Sequence, residues 1–250
     1  MAKGKSVCIY GAKGGIGKTT FVINLAGIIS KLDKKVLIID LDLCTGAIAA
    51  SLNKDVNKTI YNFYEDHSNN RFDNFNNIDK YITKYNDNIS FLACPKDPRF
   101  SNKIESSIIT TLLDKCKYLY DVILIDTTSY LNEINVLALD KCDEILFMTT
   151  NDLVSLKNLK NVLNILYDSD ISKYKIILNN SVKLDKKYFS NYDIKNILKS
   201  NIDYIISDKF HYNKLDSLVY NGEIMSLRFS NYPDEKILYL IARDILKEEA

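Results

Sequence analysis

The chain alternates between two rhythms of apolar and polar residues. Residues 6–10, 35–39, 89–93, 120–126, 144–149, 174–179 and 204–206 are short and almost continuously apolar. That is the pattern of strands buried on both faces. Between them apolar residues recur at helical spacing, as at Phe21, Leu25, Ile28, Ile29 and Leu32 within 20–32. The same reading gives helices over 104–118, 132–139, 153–167, 194–199, 212–220 and 234–246. Strands alternating with helices predict an α/β fold, a three-layer, doubly wound and mostly parallel sheet of about seven strands with helices on both faces. Residues 53–88 break the rhythm. They are polar and asparagine-rich, with weak helical patches at 59–64 and 78–85, and read as a surface excursion, either solvated loop or partner-facing. With no internal repeat and no second boundary, residues 1–250 are expected to form one domain.

Sheets of this kind place ligands at the carboxyl ends of their strands. The first strand runs into Gly11-Ala12-Lys13-Gly14-Gly15-Ile16-Gly17-Lys18-Thr19-Thr20, which holds four of the eight glycines in the protein. A strand, a glycine loop and a helix N-terminus make an anion cradle: backbone N–H groups point inward, the helix dipole presents its positive end and a lysine adds a full charge. The common phosphate-loop spacing asks for glycine at position 12, where this chain has Ala12. The deviant form K-G-G-x-G-K-[ST] fits every fixed residue from Lys13 to Thr19.

Two further strands end in carboxylates. Asp126 follows four apolar residues, as a Walker B aspartate does. Mg2+ takes few protein ligands and keeps several waters, so one carboxylate and the Thr19 hydroxyl would suffice. Asp126 could equally cap the following turn, Thr127-Thr128-Ser129. Asp40 and Asp42 end the second strand, where paired negative charge needs a metal or a water to offset it.

Composition changes this picture little. The net charge is +1 and 46% of residues are hydrophobic, enough for a substantial core without a nucleic-acid-like charge excess. The five cysteines are widely spaced and form no C-x-x-C, which argues against a disulfide framework or a zinc site. His67 and His211 read as incidental surface or packing residues. No apolar leader precedes the first strand and no run approaches membrane-spanning length, so the chain reads as cytoplasmic.

The stretch Lys13–Thr19 resembles the MinD/ParA class of P-loop ATPases. Residues 121–160, with Asp126-Thr127-Thr128-Ser129 and Asn151-Asp152-Leu153, resemble the CpaE/TadZ pilus-assembly branch of that class. The resemblance implies ATP and Mg2+ as ligands. Gly14, Gly15, Ile16, Gly17, Lys18, Thr19 and Thr20 would take the phosphates, and Thr19, Asp126 and, at longer range, Asp40 would serve the ion. It gives Asp42 the attacking water and Lys13 a reach across a homodimer interface to the partner's nucleotide. Asn179, in Leu178-Asn179-Asn180, and Asp208 correspond to elements on the base side. Hydrolysis is expected to be slow, in a dimer switched by ATP and partnered by a pilus or secretion assembly machine. Any recruitment to a pole or to the inner face of the membrane would run through a partner.

Other members of the class are set apart by residues. Cluster-bearing relatives need cysteine where Thr127-Thr128-Ser129 stands, and related tyrosine kinases carry a tyrosine cluster in a tail that here has none after Tyr239. A membrane-anchoring terminus is basic and amphipathic, whereas residues 234–250 hold five acids and three bases, with Ile237, Leu238, Ile241, Ile245 and Leu246 reading as core. Binding to DNA or membrane, as in a partition or cell-division positioning ATPase, is not supported by the sequence and stays open. So does an ATP-bound scaffold with negligible turnover.

Overall fold

A computed structural model describes residues 3–69, 78–168, 173–182, 188–210 and 215–247. The chain runs β1 (Lys5–Tyr10), α1 (Lys18–Lys31), β2 (Val36–Leu41), α2 (Ile48–Ser51), α3 (Ile60–Ser68), β3 (Thr83–Lys84), β4 (Ile89–Leu92), α4 (Ile108–Cys116) and β5 (Val122–Thr127). It continues through α5 (Glu133–Lys141), β6 (Glu144–Thr149), α6 (Leu153–Asp168), β7 (Tyr174–Asn179), α7 (Asn191–Leu198), β8 (Tyr204–Ile206), α8 (Leu215–Asn221), α9 (Met225–Arg228) and α10 (Glu235–Leu246).

The strands form one sheet in the order β3-β4-β2-β5-β1-β6-β7-β8, parallel throughout except for the β3–β4 pair. Successive residues of one strand serve opposite faces. Val7, Ile9, Val36, Ile38, Val122 and Leu124 pack with α1 and α10, while Cys8, Tyr10, Leu37, Ile39, Ile123 and Ile125 pack with α4, α5 and α6. Both sets are buried, which is why these strands read as unbroken apolar runs. The chain crosses from one side of β1 to the other between β5 and β6. The carboxyl ends of β1 and β5 therefore face the switch-point crevice where such sheets bind ligands.

Helix α1 is apolar almost all round, with Phe21 to Ile29 buried without a break. The predicted single stripe is too narrow because α9 and α10 cover the helix's outer side. Ser226 N–H donates to Asn24 Oδ1 at 3.0 Å, and a Cβ on Gly27 would stand 2.1 Å from Ser226 Oγ. In α10, Leu238, Ile241, Ala242 and Ile245 are buried, as expected of a core helix.

Three expectations are corrected. The sheet has eight strands among the described residues, because Thr83–Lys84 adds a two-residue edge strand antiparallel to β4. The helical patch expected over 78–85 is a 3-10 turn at Ile78–Tyr81 followed by that strand. The segment 53–88 is not wholly a surface excursion: Ile60, Phe63, Ile78 and Tyr81 are buried, and Thr59 with Asn62 caps α3. Residues 70–77 of that segment, His211 and the first residues of the helix expected from 212 lie outside the described residues. None of the five cysteines forms a disulfide. Among the described residues no helix is long and apolar enough to cross a membrane.

Candidate functional site

The loop between β1 and α1 is shaped by three constraints. Gly15 and Gly17 have φ of 72° and 85°, a left-handed conformation that costs glycine nothing. Gly11 lies so close to the next layer that a Cβ would stand 2.2 Å from Ile16 Cδ1 and 2.9 Å from the Met148 carbonyl. Gly14 and Gly15 border open space, and a Cβ there would meet nothing within 4 Å. Gly17 is the N-cap of α1 and supplies no side-chain acceptor, and no acid stands in the first turn. The first N–H groups of α1 are thus left for an anion, whereas α5 is capped by Asn132 and α7 by Ser190.

The loop is held from outside by two carboxamides. Asn158 Nδ2, from α6, donates to the Ala12 carbonyl at 3.0 Å. Asn179 Nδ2, at the end of β7, donates to the Ile16 carbonyl at 2.9 Å, while its Oδ1 accepts from Ser181 N–H and Oγ–H. Asn179 therefore sits against the phosphate loop, near Gly17. Asp208 is exposed and begins a 3-10 turn after β8.

Across the crevice, the sheet register sets Asp40 and Asp126 side by side on neighbouring strands. Thr19 Oγ–H donates to Asp126 Oδ2 at 2.7 Å. Asp126 Oδ1 is buried and has no hydrogen-bond partner. A buried carboxylate oxygen without a donor is costly unless a cation or an ordered water meets it. Burial pushes Asp126 up to about 6, against the Thr19 hydrogen bond and the Lys18 charge, which pull it down. Lys18 is itself held below its ordinary value by burial, with Asp126 and Asp42 pulling it back. These residues fit a magnesium ion on a phosphate: one hydroxyl and one carboxylate, the few protein ligands such an ion takes.

Asp40 is buried as deeply as Asp126. Its Oδ1 accepts from Asp42 N–H at 3.2 Å and its Oδ2 from Ile48 N–H at 3.3 Å, so it ties down both ends of the loop after β2. Burial and the neighbouring Asp126 push it up to about 8. A Cβ on Gly46 would stand 2.4 Å from Asp40 Oδ2, so glycine is required for this loop to close over the carboxylate. Asp42 is half-buried, and its two oxygens accept from Thr45 N–H at 3.1 Å and Thr45 Oγ–H at 2.9 Å.

Lys13 is partly exposed but paired within its own chain. Its Nζ lies 3.0 Å from Asp152 Oδ1 at the start of α6. Asp152 also accepts from Ser155 N–H at 3.0 Å and Thr150 Oγ–H at 2.5 Å. Burial would raise this carboxyl, and those two bonds with Lys13 hold it below the ordinary range. Residue-by-residue reading finds neither Asp152 nor Asn158 as part of the site. Asp152 reads locally as a helix cap and Asn158 as a polar residue inside α6, so neither carries a local signal of the site. The end of β5 is latched to β1 by Thr127 Oγ–H to the Ile9 carbonyl at 2.7 Å and Tyr10 O–H to the Ser129 carbonyl at 3.0 Å.

Residues 4–183 match the AAA domain family. The septum site-determining protein MinD of Synechocystis sp. is 25% identical over 177 residues, 69% of this chain and 63% of that protein. The chromosome-partitioning ATPase Soj of Thermus thermophilus is 49% identical over 41 residues, 16% of each. The chain spans about three-fifths of the length of the first MinD relatives it matches. Among solved structures, a ParA family ATPase from Chlorobium tepidum TLS superposes with a TM-score of 0.84 at 19% identity, over 96% of this chain and 98% of that one. MinD from Pyrococcus horikoshii, complexed with Mg-ADP, gives 0.79 at 19% identity, over 97% and 96%. At these identities the structural likeness is one of fold. The family match covers more than half of the chain and includes the loop, Asp40, Asp42, Asp126 and Asp152: the chain belongs to the AAA domain family, with the fold of the ParA and MinD structures it superposes on.

Proposed function

We propose that this chain binds Mg-ATP at the loop between β1 and α1, hydrolyses it slowly to ADP and phosphate, and uses the nucleotide state to switch a homodimer. The observation that carries the reading is the Thr19–Asp126 hydrogen bond with the orphaned Asp126 Oδ1 beside it, across from an uncapped helix N-terminus. The loop N–H groups and Lys18 would bind the phosphates, with Thr19 and Asp126 holding magnesium, whose charge offsets that of the phosphate oxygens. Asp42 would orient the attacking water, which requires it to give up Thr45. Lys13 would leave Asp152 for the partner's nucleotide. Asn179 and Asp208 remain the candidates for the base, Asn179 by sharing the amide it now gives to Ile16.

For the cellular role, the MinD and Soj relatives favour a positioning ATPase. The resemblance of residues 121–160 to the pilus-assembly branch supports a second reading, an assembly factor with protein partners. Sedimentation with Mg-ATP tests the switch. Asp42→Ala should persist as a dimer while the wild type returns to monomer as phosphate is released. A monomer in every nucleotide state would overturn it.

A further inference from the structure

We infer that Asn158 is a positioning residue of the phosphate loop. The inference rests on the nucleotide reading above and deepens it. A loop that cradles phosphate must turn consecutive N–H groups inward, and its carbonyls must then point away and find donors elsewhere. At the entry of this loop the donor is Asn158 Nδ2, 3.0 Å from the Ala12 carbonyl and 146 residues distant in sequence. At the far end Asn179 does the same for Ile16 at 2.9 Å. The Asn158 contact has a second property. The next residue in the loop, Lys13, is held by Asp152 of the same α6 segment at 3.0 Å. Residues 12 and 13 are therefore fixed to one helix by two bonds of different kinds, one neutral and one ionic. When Lys13 leaves Asp152, Asn158 keeps the loop entry in place, so the lysine can swing without the cradle loosening. Asn158 is half-buried and touches the loop through a backbone carbonyl, so its effect falls on the shape of the loop and not on the chemistry.

The full chain carrying Asn158→Leu or Asn158→Gln tests this, with Mg-ADP and Mg-ATP as probes in calorimetry and thermal unfolding of the nucleotide-free protein alongside. The loop N–H groups face phosphates that both nucleotides share. Asn158→Leu should therefore weaken both by the same factor, about five- to tenfold for one lost hydrogen bond. It should raise KM and leave kcat within about twofold, the mark of binding lost equally in ground and transition states. Asn158→Gln, which keeps a donor, should recover part of the affinity. A lowered unfolding temperature with unchanged affinity would make Asn158 merely structural and overturn the inference. So would a Gln variant as weak as the Leu variant. Failure of the wild-type chain to bind Mg-ADP is a separate result, which would overturn the nucleotide reading and this inference with it.

Discussion

The ammonium of Lys13 lies 3.0 Å from the carboxylate of Asp152, so in this conformation the lysine of the loop entry is paired within its own chain. In the proposed dimer it would have to break that pair before it could neutralise a nucleotide held by the partner. Lys13 is 37% exposed, and an ion pair so open to water is worth about 1 kcal/mol or less. The pair is thus a weak restraint, which a triphosphate can outbid.

Asp152→Asn should release that restraint. In sedimentation with Mg-ATP, the variant should dimerise at a protein concentration up to about fivefold lower than the wild type. Its affinity for Mg-ADP should not change, since Lys13 is expected to meet only a partner's triphosphate. A variant that dimerises less readily would mean that Asp152 serves the dimer and not the resting chain.

Thr19→Val should separate nucleotide binding from magnesium binding. The substitution removes the hydroxyl donated to Asp126 and leaves the loop N–H groups untouched. ADP affinity without magnesium should stay within about twofold, and the gain that magnesium brings should fall by about tenfold or more. Titrations of ADP with and without magnesium give both numbers.

The nucleotide-free protein should lose stability as pH rises. Asp40 sits near 8 and Asp126 near 6 when folded, both above the ordinary carboxylate range of the unfolded chain. Between that range and the folded values the native state holds protons that the unfolded state has released. Stability from these groups is therefore largest at low pH and falls as pH climbs toward 8. Thermal unfolding from pH 5 to pH 8 should show the decline, and Asp40→Asn should flatten most of it. An unfolding temperature that rises through this window because of Asp40 would contradict the assignment.

How much of this was legible in the sequence depended on how far apart the cooperating residues lie. The loop of residues 11–17 and its flanking elements could be read because the pattern is contiguous. Asp126 was legible because four apolar residues precede it. The Lys13–Asp152 pair and the Asn158–Ala12 bond were not, because each joins segments some 140 residues apart. Helix α3 was legible only as a weak patch over 59–64, for another reason. Ile60 and Phe63 are two buried residues in a polar stretch, too few to establish a period. The edge strand Thr83–Lys84 is too short to carry alternation at all. The buried stripe of α1 was underestimated because its second cover, α9 and α10, comes from the far end of the chain.

In the proposed site the bend between β1 and α1 holds a nucleotide through Lys18 and a magnesium ion through Thr19 and Asp126. Calorimetric titration of the full chain with Mg-ATP, repeated on Lys18→Ala, decides whether it does. The wild type should bind saturably and in a magnesium-dependent way, and the variant should not bind; equal affinity in the two proteins would overturn the site.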